Sequence, residues 1–342
     1  NNGFCITSPH IGNIRNPSTV RYLEETVDRL RTLTGTTPDI IACDLHPQFL
    51  STRYARDLAD ELGAALVPVQ HHRAHIAAAT RERCVGIAID GVGYGDDGTV
   101  WGGEIFVGQA PDYLRAGHLE QVMMPGGDAA TANPERMLYG ILPRPEILDL
   151  LSVRGWNDIA SSALAHQVER RFNTISTTST GRVLDAASAL LGICSQRTYD
   201  GEPAMRLEAV AASGRATEWE LAISEENGQQ VLLTSRLMEE AFSRYLPLKE
   251  ESNEMQRRAV ADIAASFQFN LARGIARIAV SVAEEYGIGK AALSGGVCYN
   301  HMIRSTLCEE LRRAGIEPII NAEYPLGDGC ISYGQAIIAG SR

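Results

Sequence analysis

A short apolar run followed at once by three histidines constrains the fold of this chain more than any other feature. Residues 64–69 read AALVPV, which predicts a buried strand, and His71, His72 and His75 follow where a helix would begin. On a helix, His71 and His75 share one face because they are four residues apart. Two imidazoles at this spacing can bind one metal ion or contact an anion. The junction therefore predicts an α/β fold with a metal or anion site at the end of a strand.

His72 occupies the position where zinc proteases with an H-E-x-x-H motif carry their glutamate base. The motif therefore argues against peptide hydrolysis by that route.

The remaining chain alternates between strand-like runs and helical periodicity, as expected of an α/β protein. No apolar run approaches the ~18 residues that cross a bilayer, so we expect no membrane span. We expect strands at 39–43, 84–89, 103–107, 291–293 and 316–320, with a hairpin-like excursion in 217–235 formed by 219–223 and 231–233. We expect helices at 16–35, 51–63, 181–191, 253–286 with a break near Gly274, and 331–339, and a mixed helical insertion at 145–180.

Charge and cysteine content narrow the class of protein. The chain has 42 acidic and 31 basic residues and a net charge of -11, which disfavours binding to nucleic acid phosphates. Seven cysteines without a C-x-x-C pair predict reduced thiols in a cytoplasmic protein. The chain begins with Asn1 and shows no signal peptide, so we expect a piece of a longer protein.

Two glycine-rich turns follow predicted strands. The first, Asp90–Thr99, contains Gly91 and Gly93, which let backbone N–H groups approach a phosphate, and three carboxylates, which could hold Mg²⁺. A tight hairpin would look the same. The second, Ser294–Asn300, places Gly295 and Gly296 before a helix, as in an anion or nucleotide site or in an ordinary turn.

A third glycine cluster, Gly327–Ile331, opens the last predicted helix. Asp328 in this cluster is either a helix cap or a third ligand beside His71 and His75. A set of nitrogen and oxygen ligands with open positions suits Fe²⁺, Zn²⁺ or Mn²⁺, and spacing does not choose among them.

Taken in order, segments along nearly the whole chain resemble the C-terminal domain of the HypF carbamoyltransferases, which help build the cyanide ligands of NiFe-hydrogenase. The matching segments are 9–12, 44–47, 51–55, 69–75, 90–104, 125–128, 133–137, 190–192, 199–208, 294–300 and 327–336. The third glycine cluster departs from the family, which more often has Asn-Asp-Gly-Gly there.

The resemblance implies an actin/Hsp70/sugar-kinase-like (ASKHA) fold, which TsaD proteins share, with a nucleotide cleft between two lobes. We expect lobes of about 1–115 and 116–342, with the last helix packed back on the first lobe.

The resemblance also implies roles for individual residues. It implies metal ligands His71, His75 and Asp328; a phosphate loop with Asp90, Gly91 and Gly93; nucleotide contacts at Gly295, Gly296 and Asn300; ribose contacts near Asp185, Gly201 and Glu202; and a carbamoyl pocket with Arg136 and His46.

The implied function is a metal-dependent carbamoyltransferase that uses carbamoyl-adenylate, made from ATP, and releases AMP. The implied acceptor is the C-terminal Cys of HypE, and the implied source of carbamoyl-adenylate is a YrdC-like domain of the same full-length protein. That domain, like the acylphosphatase and zinc modules of the family, has no counterpart in this sequence. No nucleic acid or membrane partner is expected.

Two alternatives stay open. A TsaD-like enzyme would transfer threonylcarbamoyl to tRNA, against which the acidic charge argues. A non-catalytic ATP-binding module would bind nucleotide without metal dependence.

Overall fold

Two β-sheets organise the chain in the computed structural model, which describes residues 4–250 and 253–341. The smaller sheet pairs two parallel strands, and the larger one runs in the order β11-β10-β3-β4-β5-β9-β8, with β7 beside β4 and β6 beside β7. The strands are β1 Ile40–Asp44, β2 Ala65–Val69, β3 Cys84–Tyr94, β4 Val100–Gln109, β5 Asp112–Leu119, β6 Val122–Pro125, β7 Thr174–Thr177, β8 Ile223–Glu226, β9 Gln229–Leu232, β10 Lys290–Ser294 and β11 Glu317–Ile320.

The helices of the described residues flank these sheets. They are α1 Pro17–Thr34, α2 Leu50–Leu62, α3 His71–Ala79, α4 Asp128–Ala132, α5 Pro134–Ile141, α6 Pro145–Val153, α7 Asp158–Arg170, α8 Thr180–Leu190, α9 Glu202–Ala211, α10 Thr234–Tyr245, α11 Asn253–Tyr286, α12 His301–Arg313 and α13 Ile331–Gly340. Within residues 4–250 and 253–341, none of these helices combines the length and apolar character needed to cross a membrane.

The strand β3 is buried on both faces, which explains its continuous apolar run. Alternate residues point into different cores because side chains alternate along a strand. Ile87 and Ile89 pack in the cluster that includes α8 and α11, whereas Ala88 packs with residues of α3 and α13. The larger sheet is therefore covered by helices on both sides.

The last helix crosses α3 at very close range. A Cβ atom on Gly334 would lie 1.8 Å from the carbonyl oxygen of Ala74, so only glycine fits at the crossing. The helix α13 also packs against β1. The C-terminus of the chain therefore returns to its N-terminal part, and the turn before α13 lies beside the histidines of α3.

Most of the predicted elements are confirmed, including the strand–helix junction of β2 and α3. Gly35 and Gly63 end α1 and α2 in the left-handed conformation, as glycine does at many helix ends. The insertion at 145–180 contains α6 and α7 as expected, and also the strand β7. All seven cysteines are free in the structure.

Two expectations were wrong in detail. The helix α11 is continuous, because Gly274 serves packing: a Cβ there would meet Leu232 Cδ2 at 2.5 Å. The first strand of the hairpin is Ile223–Glu226 and not 219–223, because Trp219 belongs to the core and its backbone N–H donates to Asn270 Oδ1.

The expected lobe boundary near residue 115 falls within β5, whereas the two sheets divide the chain between β2 and β3. The division into lobes stays a prediction.

Candidate metal and nucleotide site

The histidines lie at the start of α3, whose first turn is capped by Gln70. The Gln70 side-chain oxygen accepts a hydrogen bond from the backbone N–H of Arg73 at 2.9 Å. Its amide nitrogen donates to the carbonyl oxygen of Tyr94 at 3.0 Å and lies 3.1 Å from His72 Nδ1. Gln70 thus both starts the helix and fixes it against the end of β3.

Four side chains converge in front of α3. One ligand atom from each of His71, His75, Asp90 and Asp328 lies within 4.8 Å of all the others. His71 Nε2 is 3.3 Å from Asp90 Oδ2 and 3.6 Å from Asp328 Oδ1. His75 Nε2 is 3.6 Å and 3.7 Å from the same two atoms. The structure therefore brings together the three predicted ligands and adds Asp90.

These distances suit a bound cation. Tetrahedral ligands that each lie about 2.0–2.2 Å from a metal are separated from one another by roughly 3.3–3.6 Å. Both Nε2 atoms are buried and have no hydrogen-bond partner, which is costly unless another group contacts them. The Asp328 side chain keeps 76% of its surface exposed, so one face of the cluster is open to a substrate. The four residues therefore fit a divalent metal.

The Nδ1 atoms of His71 and His75, which face away from the cluster, also contact polar groups. His71 Nδ1 lies 3.1 Å from Asp44 Oδ2. His75 Nδ1 lies 3.0 Å from Ser294 Oγ and 3.4 Å from Cys330 Sγ. Such contacts orient an imidazole and leave the opposite nitrogen available as a ligand.

Opposite charges set the protonation of the cluster. Burial lowers the pKa of His75, but the carboxylates of Asp328 and Asp90 more than offset it and raise that pKa to about 10. Burial also lowers the pKa of His71, but the carboxylates of Asp328, Asp44 and Asp90 outweigh this effect and raise that pKa well above its usual value. The two histidines in turn hold the pKa of Asp90 below its usual range despite burial, and they also lower the pKa of the exposed Asp328 carboxyl. Protons on the imidazoles thus balance the two carboxylates when no cation is bound.

His72 differs from its two neighbours. It is fully buried, and burial together with the nearby His71 lowers its pKa well below the usual value. Its Nδ1 faces Gln70 and not the cluster. His72 therefore belongs to the core beside the site.

The first glycine-rich segment lies in a hairpin, as one of the two interpretations predicted, because β3 extends to Tyr94 and pairs antiparallel with β4. The second glycine-rich segment meets it at Asp90. The regular pairing of β3 with β4 is interrupted between Ile89 and Gly93, where Asp90 and Gly91 lie. The backbone N–H of Gly296 donates to Asp90 Oδ1 at 2.9 Å. Because β3 and β10 are parallel neighbours, their carboxyl ends deliver both turns to the same edge of the sheet.

Three glycines of these turns have different surroundings. A Cβ on Gly93 would meet His72 Cε1 at 2.5 Å, and one on Gly295, whose φ is 108°, would meet the carbonyl oxygen of Ile89 at 2.1 Å. A Cβ on Gly91 would meet nothing within 4 Å. Packing therefore requires glycine at 93 and 295, while Gly91 faces open space.

The residues predicted to contact nucleotide already have protein partners. Asn300 caps α12 by accepting from the backbone N–H of Ile303, and it donates to Gln268 Oε1. Asp185 is 1% exposed, contacts Arg182 Nη2 at 2.7 Å, and has its pKa raised by burial. Glu202 accepts from Thr198, and Gly201 precedes α9 with φ 80°. Their contact with nucleotide stays a prediction.

The two residues predicted for a carbamoyl pocket contact different parts of the fold. His46 stacks on Phe49 at 4.1 Å between ring centroids, and its backbone N–H donates to Asp44. Arg136 donates to the carbonyl oxygen of Pro125 at 2.9 Å and to Gln167. His46 is thus linked to His71 through Asp44, whereas Arg136 contacts Pro125 and Gln167. The carbamoyl pocket stays a prediction.

The alternative that Asp328 caps the last helix is wrong. Asp328 opens a short 3-10 turn, Asp328–Cys330, and no side chain caps that turn or α13.

Sequence reasoning did not assign Asp44 or Ser294 a role. Each directly follows a predicted strand, and this position was the one feature of the sequence that could have pointed to a role. Only the folded structure shows which histidine each of them contacts.

Comparisons with known proteins match nearly the whole chain. Residues 1–82 match the HypF Kae1-like domain family, and residues 86–335 match the family described as carbamoyltransferase, Kae1-like domain, second subdomain. The chain is 36% identical to the probable carbamoyltransferase HypF of Methanocaldococcus jannaschii, over 98% of this chain and 43% of that protein. It is 32% identical to a carbamoyltransferase HypF homolog of Cupriavidus necator, over 97% of this chain and 85% of that protein.

The structure is similar to that of full-length HypF in its phosphate- and nucleotide-bound form. The TM-score is 0.87 at 31% identity, over 97% of this chain and 43% of that one. These matches confirm the ASKHA-type fold expected from the sequence. The chain spans less than half the length of the M. jannaschii protein and of the solved one.

Proposed function

Because this chain belongs to the HypF carbamoyltransferase family, we propose that it is a metal-dependent carbamoyltransferase domain acting in hydrogenase maturation. The donor would be carbamoyl-adenylate, and the acceptor would be the C-terminal Cys thiolate of HypE. The observation that carries the proposal is the convergence of four ligand atoms from His71, His75, Asp90 and Asp328 beside two glycine-rich turns.

The chain's own residues would bind and orient the donor. His71, His75, Asp90 and Asp328 would hold a divalent metal, which when bound supplies Lewis acidity toward phosphate or carbamoyl oxygens. The turn at Gly295 and Gly296, which precedes α12, would receive the nucleotide end of the donor. The open side of the cluster at Asp328 would admit the acceptor thiolate, which supplies the nucleophile, so no cysteine of this chain is needed for attack.

Fe²⁺, Zn²⁺ and Mn²⁺ all remain suitable, because the donor set is two nitrogens and two oxygens. A transfer of threonylcarbamoyl to tRNA is less favoured, since the net charge of -11 opposes binding to a polyanion.

The test supplies carbamoyl-adenylate and HypE to the metal-loaded chain and follows the intact mass of HypE. We expect one carbamoyl group on the C-terminal Cys, and none on a HypE whose terminal Cys is replaced by Ser. Metal removal by a chelator, or His75→Ala, should abolish transfer. Carbamoylation at the same rate after metal removal would contradict the proposal.

A further inference from the structure

Asp44 contacts the outer nitrogen of His71 and a backbone amide at the same time. Its Oδ2 lies 3.1 Å from His71 Nδ1, and its Oδ1 accepts a hydrogen bond from the backbone N–H of His46 at 2.8 Å. The side chains of Asp44 and His71 are each only 10% exposed, so water competes little for this contact. Each carboxylate oxygen therefore has its own partner.

The chemistry of the two partners determines where the imidazole proton lies. An ionised carboxylate can only accept hydrogen bonds, so His71 Nδ1 must carry a proton to bond with it. In the neutral ring, Nε2 then has a free lone pair and faces Asp90 and Asp328. We propose that Asp44 is a positioning residue that fixes this tautomer of His71, so that Nε2 is presented to a divalent metal. The inference rests on the metal site of the proposed function.

His75 offers an internal comparison. Its Nδ1 lies 3.0 Å from Ser294 Oγ, which also lies 3.2 Å from the carbonyl oxygen of Leu326 and can donate to it. That arrangement favours a proton on His75 Nδ1 as well. A hydroxyl can rotate and exchange its roles, however, whereas a carboxylate cannot. The tautomer of His71 is thus fixed more strictly than that of His75.

The substitution Asp44→Asn tests the tautomer and not merely the size of the side chain. The amide oxygen must accept from the backbone N–H of His46, because the NH₂ group cannot accept. The NH₂ group then faces His71 Nδ1 and donates to it, which moves the ring proton to Nε2 and blocks ligation. Asp44→Ala removes the contact and leaves both tautomers accessible.

The experiment measures Zn²⁺ affinity by competition with a chromogenic chelator. We expect Asp44→Asn and Asp44→Ala to lose about 10–100-fold in affinity, with the Asn variant binding no better than the Ala variant. Ser294→Ala should lose less, and Asp57→Asn, at an exposed position of α2, should match the wild type. Circular dichroism of the metal-free variants checks that the fold is retained.

A second measurement needs no variant. Long-range proton–nitrogen NMR of the Zn²⁺-loaded wild type, with nitrogen-15 in its histidines, should show His71 protonated at Nδ1 and bound through Nε2. A metal-bound Nδ1 would overturn the inference even if the variants failed to fold.

The outcomes separate this inference from the proposed function. A wild type that binds Zn²⁺, with Asp44→Asn at wild-type affinity or tighter than Asp44→Ala, overturns only the role of Asp44. A wild type that binds no divalent metal overturns the metal site itself and this inference with it.

Discussion

Asp90 uses its two carboxylate oxygens for different purposes. Oδ2 faces both histidine Nε2 atoms, while Oδ1 accepts the backbone N–H of Gly296. The family resemblance predicted Asp90 in a phosphate loop with the glycines that follow it. The helical spacing predicted a metal or anion site at His71 and His75, and the resemblance predicted them as metal ligands. The contact of Asp90 with Gly296 could not be predicted, because it depends on the pairing of β3 with β10, which are about 200 residues apart in the chain.

Asp328 supports the clearest prediction at the residue scale. Asp328→Asn should reduce metal affinity by more than the roughly 10–100-fold that loss of an outer partner costs, because an amide oxygen is a neutral and weaker ligand. The metal-free variant should also lose a little thermal stability, because the exposed Asp328 carboxylate no longer balances the charge of the protonated His71 and His75. Chelator competition and thermal unfolding measure the two effects.

Asp112→Asn is the matched control, because Asp112 is an exposed carboxylate at the start of β5. Full metal affinity in the Asp328→Asn variant would remove Asp328 from the proposed ligand set.

At the scale of helices and strands, most of the elements that local patterns predicted are present, because burial against neighbours leaves a periodic trace in the sequence. The elements β5, β6, α5, α9 and α10 were not predicted. Glycine was harder to interpret. Gly63 ends a helix as predicted, but Gly274 and Gly334 lie inside helices where a neighbour approaches closely. A glycine in the sequence looks the same in both cases. Only the residues that pack against it show whether it ends a helix or allows a neighbour to approach closely.

The crossing of α13 over α3 gives a prediction at this scale. Gly334→Ala would place a methyl group 1.8 Å from the carbonyl oxygen of Ala74, so α13 must move away from α3. Overpacking of this kind costs about 1–3 kcal/mol in the free energy of unfolding. Asp328 lies three residues before α13 and His75 directly follows Ala74, so metal affinity should fall as well. Denaturant unfolding and chelator competition measure both losses.

Gly340→Ala controls for helix propensity in the same helix, since a Cβ at Gly340 would meet nothing within 4 Å. That variant should keep or slightly gain stability, by up to about 1 kcal/mol, because alanine favours helix. Equal stability of the two variants would mean that α13 does not depend on close contact with α3.

At the scale of the whole molecule, the chain matches less than half of the length of some relatives and most of the length of another. It covers 43% of the M. jannaschii protein but 85% of the C. necator homolog. The matched region therefore also occurs in a relative with little additional sequence. This supports testing the chain by itself, with its donor supplied from outside.

The division of labour between domains gives the last prediction. The family resemblance assigns the activation of carbamate with ATP to a YrdC-like domain, whereas residues 1–82 and 86–335 of this chain match Kae1-like families. Supplied with carbamoyl phosphate and ATP alone, the chain should leave HypE unmodified. Addition of the adenylating domain in trans should restore carbamoylation, but slowly, because a labile intermediate must diffuse between proteins instead of being held at high local concentration.

The mass of HypE over time, with and without the adenylating domain, measures this dependence. Raising the concentration of the adenylating domain should raise the rate, since transfer between separate proteins depends on encounter. A His75→Ala chain should stay inactive at every concentration, which separates transfer at the His71–His75 cluster from direct reaction of HypE with free carbamoyl-adenylate. Rapid modification from carbamoyl phosphate and ATP by the chain alone would instead locate the activation chemistry here, and the glycine-rich turns at Asp90 and Gly295 would then have to bind ATP for adenylation.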